Sequence, residues 1–140
     1  MVAESEKLVK VKSTRHAKYQ IAYHFVWIPK YRKEILRGEI KEFLEGLFRE
    51  IAQEYRFEIL AMEIMPDHIH LFVSAPPKYS PSTIAKIFKG VSAKKLFQRF
   101  PQLRKEYWKN HLWAPSYYVG TAGQVSAETI RRYIEECQNL

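Results

Sequence analysis

The residues best placed to do chemistry are His68 and His70. They open the apolar run Met65-Pro66-Asp67-His68-Ile69-His70-Leu71-Phe72-Val73, directly after a proline turn. In an extended strand successive side chains alternate between faces, so both imidazoles share one face while Ile69, Leu71 and Val73 take the other. At roughly 3.3 Å of rise per residue their Cα atoms stand about 6.6 Å apart, close enough for both rings to converge on one ion. Neutral imidazole is a common metal ligand. Two such ligands and one further protein group would leave positions for a phosphate oxygen, as a Lewis-acid site requires. Glu63 and His24 are candidates for that further group, on neighbouring strands whose register the sequence does not give. The alternative is a pair of histidines that only hydrogen-bond or stack.

The totals set limits on what such a pair could serve. The chain has 140 residues, 46% of them hydrophobic, which suits one domain with a proper core. A single cysteine, Cys137, rules out an intramolecular disulfide and a cysteine-based zinc cluster. No apolar run approaches the ~20 residues of a membrane span, and Met1 to Lys12 has no signal-peptide core, so a cytoplasmic location is expected. The net charge of +8 favours polyanionic partners. Cations concentrate between residues 86 and 109, including Lys94 and Lys95, interleaved with Phe88, Phe97, Phe100, Tyr107 and Trp108. That mixture suits a nucleic-acid strand, whose backbone attracts cations and whose bases stack.

The elements that must position the histidines follow from periodicity. Residues 1 to 17 read as a flexible basic arm and 18 to 140 as a single domain. Tyr19 to Trp27 alternates with its bulky face inward, a strand ended by Pro29 with Lys30, Arg32 and Lys33 at its exit. Gly38 to Tyr55 carries Ile40, Phe43, Leu44, Leu47, Ile51 and Tyr55 at helical spacing. Phe57 to Ile64 and His68 to Ser74 form a hairpin, because Met65-Pro66-Asp67 is too short for a crossover. Ser80-Pro81 opens a second helix to about Phe97. A basic loop follows, then a strand from Leu112 to Val119, a hinge at Gly120 to Gly123 and a helix from Ser126 to Cys137. The order β-α-β-β-α-β predicts an α+β, ferredoxin-like (RRM-like) fold: a four-stranded antiparallel sheet with two helices on one face and a further C-terminal helix. His68 and His70 fall on the open face, a common nucleic-acid platform.

Met65-Pro66-Asp67-His68-Ile69-His70-Leu71 resembles the His-hydrophobic-His motif of the HUH nucleases. More narrowly, the chain resembles the single-tyrosine transposases of small insertion sequences that move as single-stranded DNA. The likeness includes Tyr23-His24-Phe25-Val26-Trp27, Lys30-Tyr31-Arg32, Val91-Ser92-Ala93-Lys94, Leu112-Trp113-Ala114-Pro115-Ser116-Tyr117-Tyr118 and Ile130-Arg131-Arg132-Tyr133-Ile134-Glu135. The resemblance implies that Tyr133, on the last helix, is the nucleophile. It implies a covalent 5′-phosphotyrosine, a divalent metal (Mg2+ or Mn2+) on His68 and His70, and no nucleotide cofactor. Single-stranded DNA with hairpin ends would be the substrate and a homodimer the assembly, with Lys30, Arg32, Lys33, Lys94 and Lys95 contacting DNA.

One position departs from that pattern. The family's third metal ligand is a glutamine four residues after the tyrosine, where this chain has Cys137. Gln138, one residue on, would point roughly 140° away from Tyr133 on a regular helix. Gln138 reaches the ion only if the helix loosens; Glu136, Cys137 or another group are the alternatives. The competing functions are a non-catalytic nucleic-acid-binding module, a decayed transposase and a metal-dependent hydrolase that uses water.

Overall fold

The computed structural model describes residues 9–107 and 111–121. The expected helix from Ser126 to Cys137, which carries Tyr133, and Gln138 just after it lie outside the described residues.

Two short strands, β1 (Lys12–Ser13) and β2 (Lys18–Tyr19), pair antiparallel. They precede β3 (Tyr23–Trp27), α1 (Gly38–Tyr55), β4 (Glu58–Met65), β5 (His68–Ser74), α2 (Pro81–Arg99) and β6 (Tyr118–Thr121). The main sheet is antiparallel throughout, in the order β4-β5-β3-β6. This is the expected split βαβ topology.

The helices form as their sequences dictate. Gly38 has a φ of +56°, a conformation a glycine takes without a Cβ penalty, and starts α1 there. Leu44, Leu47, Phe48 and Ile51 recur on the buried face of α1. At the start of α2 the Ser80 hydroxyl accepts from the Thr83 N–H at 3.1 Å, with Pro81 at the first helical position. Ile84, Phe88, Leu96 and Phe97 of α2 meet Phe25, Trp27, Ile69, Leu71 and Val73 of the sheet in one core.

Strand pairing sends the other side chains of β3 and β5 to the opposite face. His24 pairs with Phe72, Val26 with His70, Glu63 with His70 and Met65 with His68. A register shift between Ile59 and Ala61 turns Leu60 toward that face too.

Five local expectations need correction. The arm, over its described part, is not a free segment: a turn with Thr14 N–H donating to Ala17 O at 2.7 Å joins β1 to β2. Val9 is buried against Ala22, Leu60 and Phe72, and the Gln20 side chain donates to the Val9 carbonyl. The histidine face is therefore partly roofed rather than open, because one apolar residue of the arm found an apolar patch to cover. The first strand starts at Tyr23, since Lys18–Tyr19 is engaged with β1 instead.

The last strand is displaced from Leu112–Val119 to Tyr118–Thr121. Pro115 has no N–H and interrupts the ladder. Leu112 and Trp113 are instead buried beside β3's exit, where Lys30 N–H donates to Leu112 O and Ala114 N–H to Ile28 O. Finally, Gly120 is no hinge. It pairs with His24, and a Cβ there would stand 2.6 Å from the Tyr118 hydroxyl. Ala122 and Gly123 lie outside the described residues.

Candidate metal and nucleic-acid site

β5 places His68 and His70 on one face, as the alternation requires, with their rings 5.0 Å apart and nearly perpendicular. Both are buried, 7% and 2% exposed. Each ring uses one nitrogen inside the protein. His68 Nδ1 lies 2.8 Å from Asp67 Oδ1, and a carboxylate can only accept, so Nδ1 carries the proton. His70 Nδ1 lies 3.2 Å from His24 Nε2. The remaining nitrogens, His68 Nε2 and His70 Nε2, are buried with no hydrogen-bond partner. Buried ring nitrogens are seldom left unsatisfied, and a bound group that accepts their lone pairs would resolve the cost.

The chemistry of this donor set fits a metal. Metal-bound histidines usually donate their second N–H to a carboxylate, carbonyl or other acceptor, which fixes the tautomer. Asp67 provides this for His68. Its carboxylate is also held by Arg32, whose Nε donates to Oδ2 at 3.0 Å. Burial by itself would raise the Asp67 pKa, but the bonds from His68 and Arg32 and their charge outweigh it and hold the carboxyl below its ordinary value.

His24 takes the same position behind His70. Its ring stacks on Phe72, with centroids 4.4 Å apart and planes within 3°, and on His70 at 5.4 Å. Burial pushes His24 down to about 4 and, with the neighbouring charges of His24 and His68, His70 down to about 3. Both imidazoles are neutral at pH 7, the form a metal needs.

His24 was expected as a possible third ligand; its Nε2 is instead turned to His70. Glu63 sits opposite His70 in register but is exposed. Among the described residues no group of three His, Cys, Asp or Glu side chains comes together to hold a metal. Tyr133, Glu136, Cys137 and Gln138 lie outside the described residues.

The cations divide into two sets. Lys30, Arg32 and Lys33 lie on the turn at β3's exit. Arg32 reaches Asp67, and Lys33 bonds Glu106 at 2.7 Å while standing over the Tyr107 ring. Lys94 and Lys95 are exposed on α2, in the layer on the other side of the sheet. The structure does not bring them to the histidines. Lys89 is used internally: its Nζ donates to the carbonyls of Ala114, Pro115 and Ser116, and burial lowers its pKa. Sequence reasoning passed over Asp67 as an orienting group, although an acid directly before a His-x-His on a strand was a usable signal.

Comparison with known proteins identifies the family of the chain. The family profile described as "Transposase IS200 like" matches residues 17–137, and the chain belongs to this family. It is 39% identical over 127 residues to the ISDra2 transposase TnpA of Deinococcus radiodurans, covering 91% of each chain. It is 34% identical over 124 residues to the transposase of insertion sequence element IS200 from Salmonella typhimurium, covering 89% of this chain and 81% of that one. Among solved structures, a chain assigned as a transposase from D. radiodurans R1 superposes with a TM-score of 0.74 at 37% identity, covering 89% of this chain and 96% of that one. A REP-associated tyrosine transposase bound to a REP hairpin shares the fold, with a TM-score of 0.55 at 17% identity, covering 89% of this chain and 68% of that one. Among the described residues no helix is long and apolar enough to cross a membrane.

Proposed function

We propose that this transposase cuts and rejoins single-stranded DNA at the ends of its insertion sequence, with Tyr133 as the nucleophile. The observation that carries the reading is the pair of buried, partnerless Nε2 atoms of His68 and His70, each on a ring whose other nitrogen is engaged. Those two atoms would hold a divalent cation, Mg2+ or Mn2+, with the third protein ligand drawn from Glu136, Cys137 or Gln138. When bound, such a cation acts as a Lewis acid on a phosphate oxygen.

The chain's own residues supply the rest. Asp67 and His24 keep the protons of His68 and His70 on Nδ1, so that both Nε2 lone pairs face the site. The Tyr133 oxygen forms a bond to phosphorus as the bond to the 3′-oxygen breaks. The tyrosine proton leaves, the 3′-oxygen gains one, and a 5′-phosphotyrosine remains. A second 3′-hydroxyl reverses the step and rejoins the strand. One phosphodiester replaces another, so no nucleotide cofactor is consumed. Lys30, Arg32 and Lys33 bind the DNA backbone beside the site, and Lys94 and Lys95 serve a contact on the helical layer. The hairpin held by the REP-associated transposase supports a hairpin-ended strand as the substrate, and we take the working unit to be a homodimer of this single domain.

The test is to incubate the protein with labelled single-stranded DNA carrying the element's end, with and without Mn2+, and to look for a protein–DNA adduct that survives denaturation. The adduct should form only with metal and vanish in Tyr133→Phe. His68→Ala and His70→Ala should each reduce it to the metal-free level while leaving DNA binding in place. Cleavage that persists in Tyr133→Phe would indicate a water-using hydrolase; DNA binding without cleavage by the parent protein would indicate a binding module or a decayed transposase.

A further inference from the structure

Directly after β3 the backbone makes a turn that no ordinary sequence preference explains. Tyr31 has φ 65° and ψ 10°, and Arg32 has φ 53°. Two consecutive non-glycine residues in the left-handed region are uncommon, and an aromatic residue there is unfavourable. Such strain persists where the surroundings enforce it. Here Arg32 N–H donates to Pro29 O at 2.8 Å, Lys30 N–H to Leu112 O at 2.8 Å, and the Arg32 side chain to Asp67.

The turn projects the Tyr31 ring outward. At 67% exposed, it is one of two large hydrophobic side chains left in solvent among the described residues. Its ring lies within 8° of parallel to Tyr107, with centroids 6.4 Å apart. Lys30 Nζ stands 5.5 Å from its centre and Lys33 Nζ 5.6 Å from that of Tyr107. An exposed flat ring among cations is the arrangement that receives a nucleobase while its phosphates meet the charges. It is also adjacent to the metal-facing pair, because Arg32, the next residue, shares the Asp67 carboxylate with His68.

We infer that Tyr31 is a base-stacking platform for a nucleotide flanking the phosphate at His68 and His70. This rests on the single-stranded-DNA reading above and adds to it a contact made with a base rather than with the backbone. The strained turn is then what aims the ring along the strand's path.

The experiment measures binding of two fluorescein-labelled single strands by anisotropy: one of mixed sequence and one of equal length with abasic sugars throughout. Tyr31→Ala should weaken binding of the base-bearing strand by roughly 5- to 100-fold. It should leave the abasic strand and the salt dependence of binding unchanged, since no phosphate contact is lost. Tyr31→Phe should bind like the parent. Tyr31→Gly accepts the left-handed backbone without strain, so it should melt no lower than Tyr31→Ala yet lose the same affinity. Equal losses on both strands, or no loss on the base-bearing one, would overturn the inference. If the parent protein bound neither strand, the single-stranded-DNA reading itself would fall, and Tyr31's role with it.

Discussion

His68 and His70 are two residues apart on one strand, yet the protein holds them in opposite ways. His68 is oriented from the rim, by a carboxylate that is itself clamped by a half-exposed guanidinium. His70 is oriented from within, by a second imidazole sandwiched against Phe72. The rim arrangement works through charge and stays in contact with solvent. The inner one works through packing and desolvation, and depends on a neutral ring at each end. Held this way, one ring is coupled to whatever binds at the surface and the other is tied to the fold itself.

The contrast can be broken from either side. The largest effects should come from the orienting groups. Asp67→Ala and His24→Phe are each expected to weaken Mn2+ binding about 10- to 100-fold, measured by electron paramagnetic resonance titration. The two should differ in their stability cost: His24→Phe keeps a ring on Phe72 and should shift stability by less than about 1.5 kcal/mol. If His24→Phe bound Mn2+ as tightly as the parent, His24 would be a packing residue only.

A smaller effect separates the pair by pH. His24 and His70 have folded pKa values depressed to about 4 and about 3, well below the ~6.5 of a free imidazole. Between those values the unfolded chain binds more protons than the folded one. Their contribution is therefore fully present above about pH 6.5 and is lost as the pH falls toward the folded values. Lowering the pH from 7 to 4.5 should cost on the order of 2 kcal/mol per buried imidazole. Urea melts of the parent and of His24→Phe across this range should show a shallower decline in the variant. Parallel declines would exclude His24 as a source of the acid sensitivity.

The smallest effect belongs to Arg32. Its ion pair with Asp67 is partly exposed, and such pairs contribute about 0–1 kcal/mol. Arg32→Ala should lower Mn2+ affinity only about two- to fivefold, and 0.5 M salt should reproduce much of that loss in the parent through screening. A salt response as large in Arg32→Ala as in the parent would place the sensitivity elsewhere.

Much of this was legible in the sequence because it rests on short-range periodicity. The alternation in His68 to Val73 set which face the histidines take, and Ser80-Pro81 marked the start of α2. What sequence reasoning could not supply was register and tertiary competition. His24 was rightly placed on the histidine face, but whether it ligates an ion or supports His70 depends on its being opposite Phe72, a long-range pairing. Val9 lies in a basic arm, and only Ala22, Leu60 and Phe72, all distant from it in sequence, give it a surface to cover. Pro115 could have warned that Leu112 to Tyr117 would not join a ladder. The apolar content of Leu112 and Trp113 suggested a strand, yet it serves burial, and the segment keeps only an isolated antiparallel bridge between Trp113 and Pro29.

The hydrogen bond between His24 and His70 spans 46 residues of chain. A chain emerging from its N-terminus must therefore complete α1 and the β4–β5 hairpin before either ring can meet the other. Such distant pairings form slowly relative to local ones, since the intervening chain must close before the contact contributes. The assembly of this half of the site is thus a late event in folding. A newly made protein would form α1 and the β4–β5 hairpin before β3 pairs with β5 and brings the two rings together.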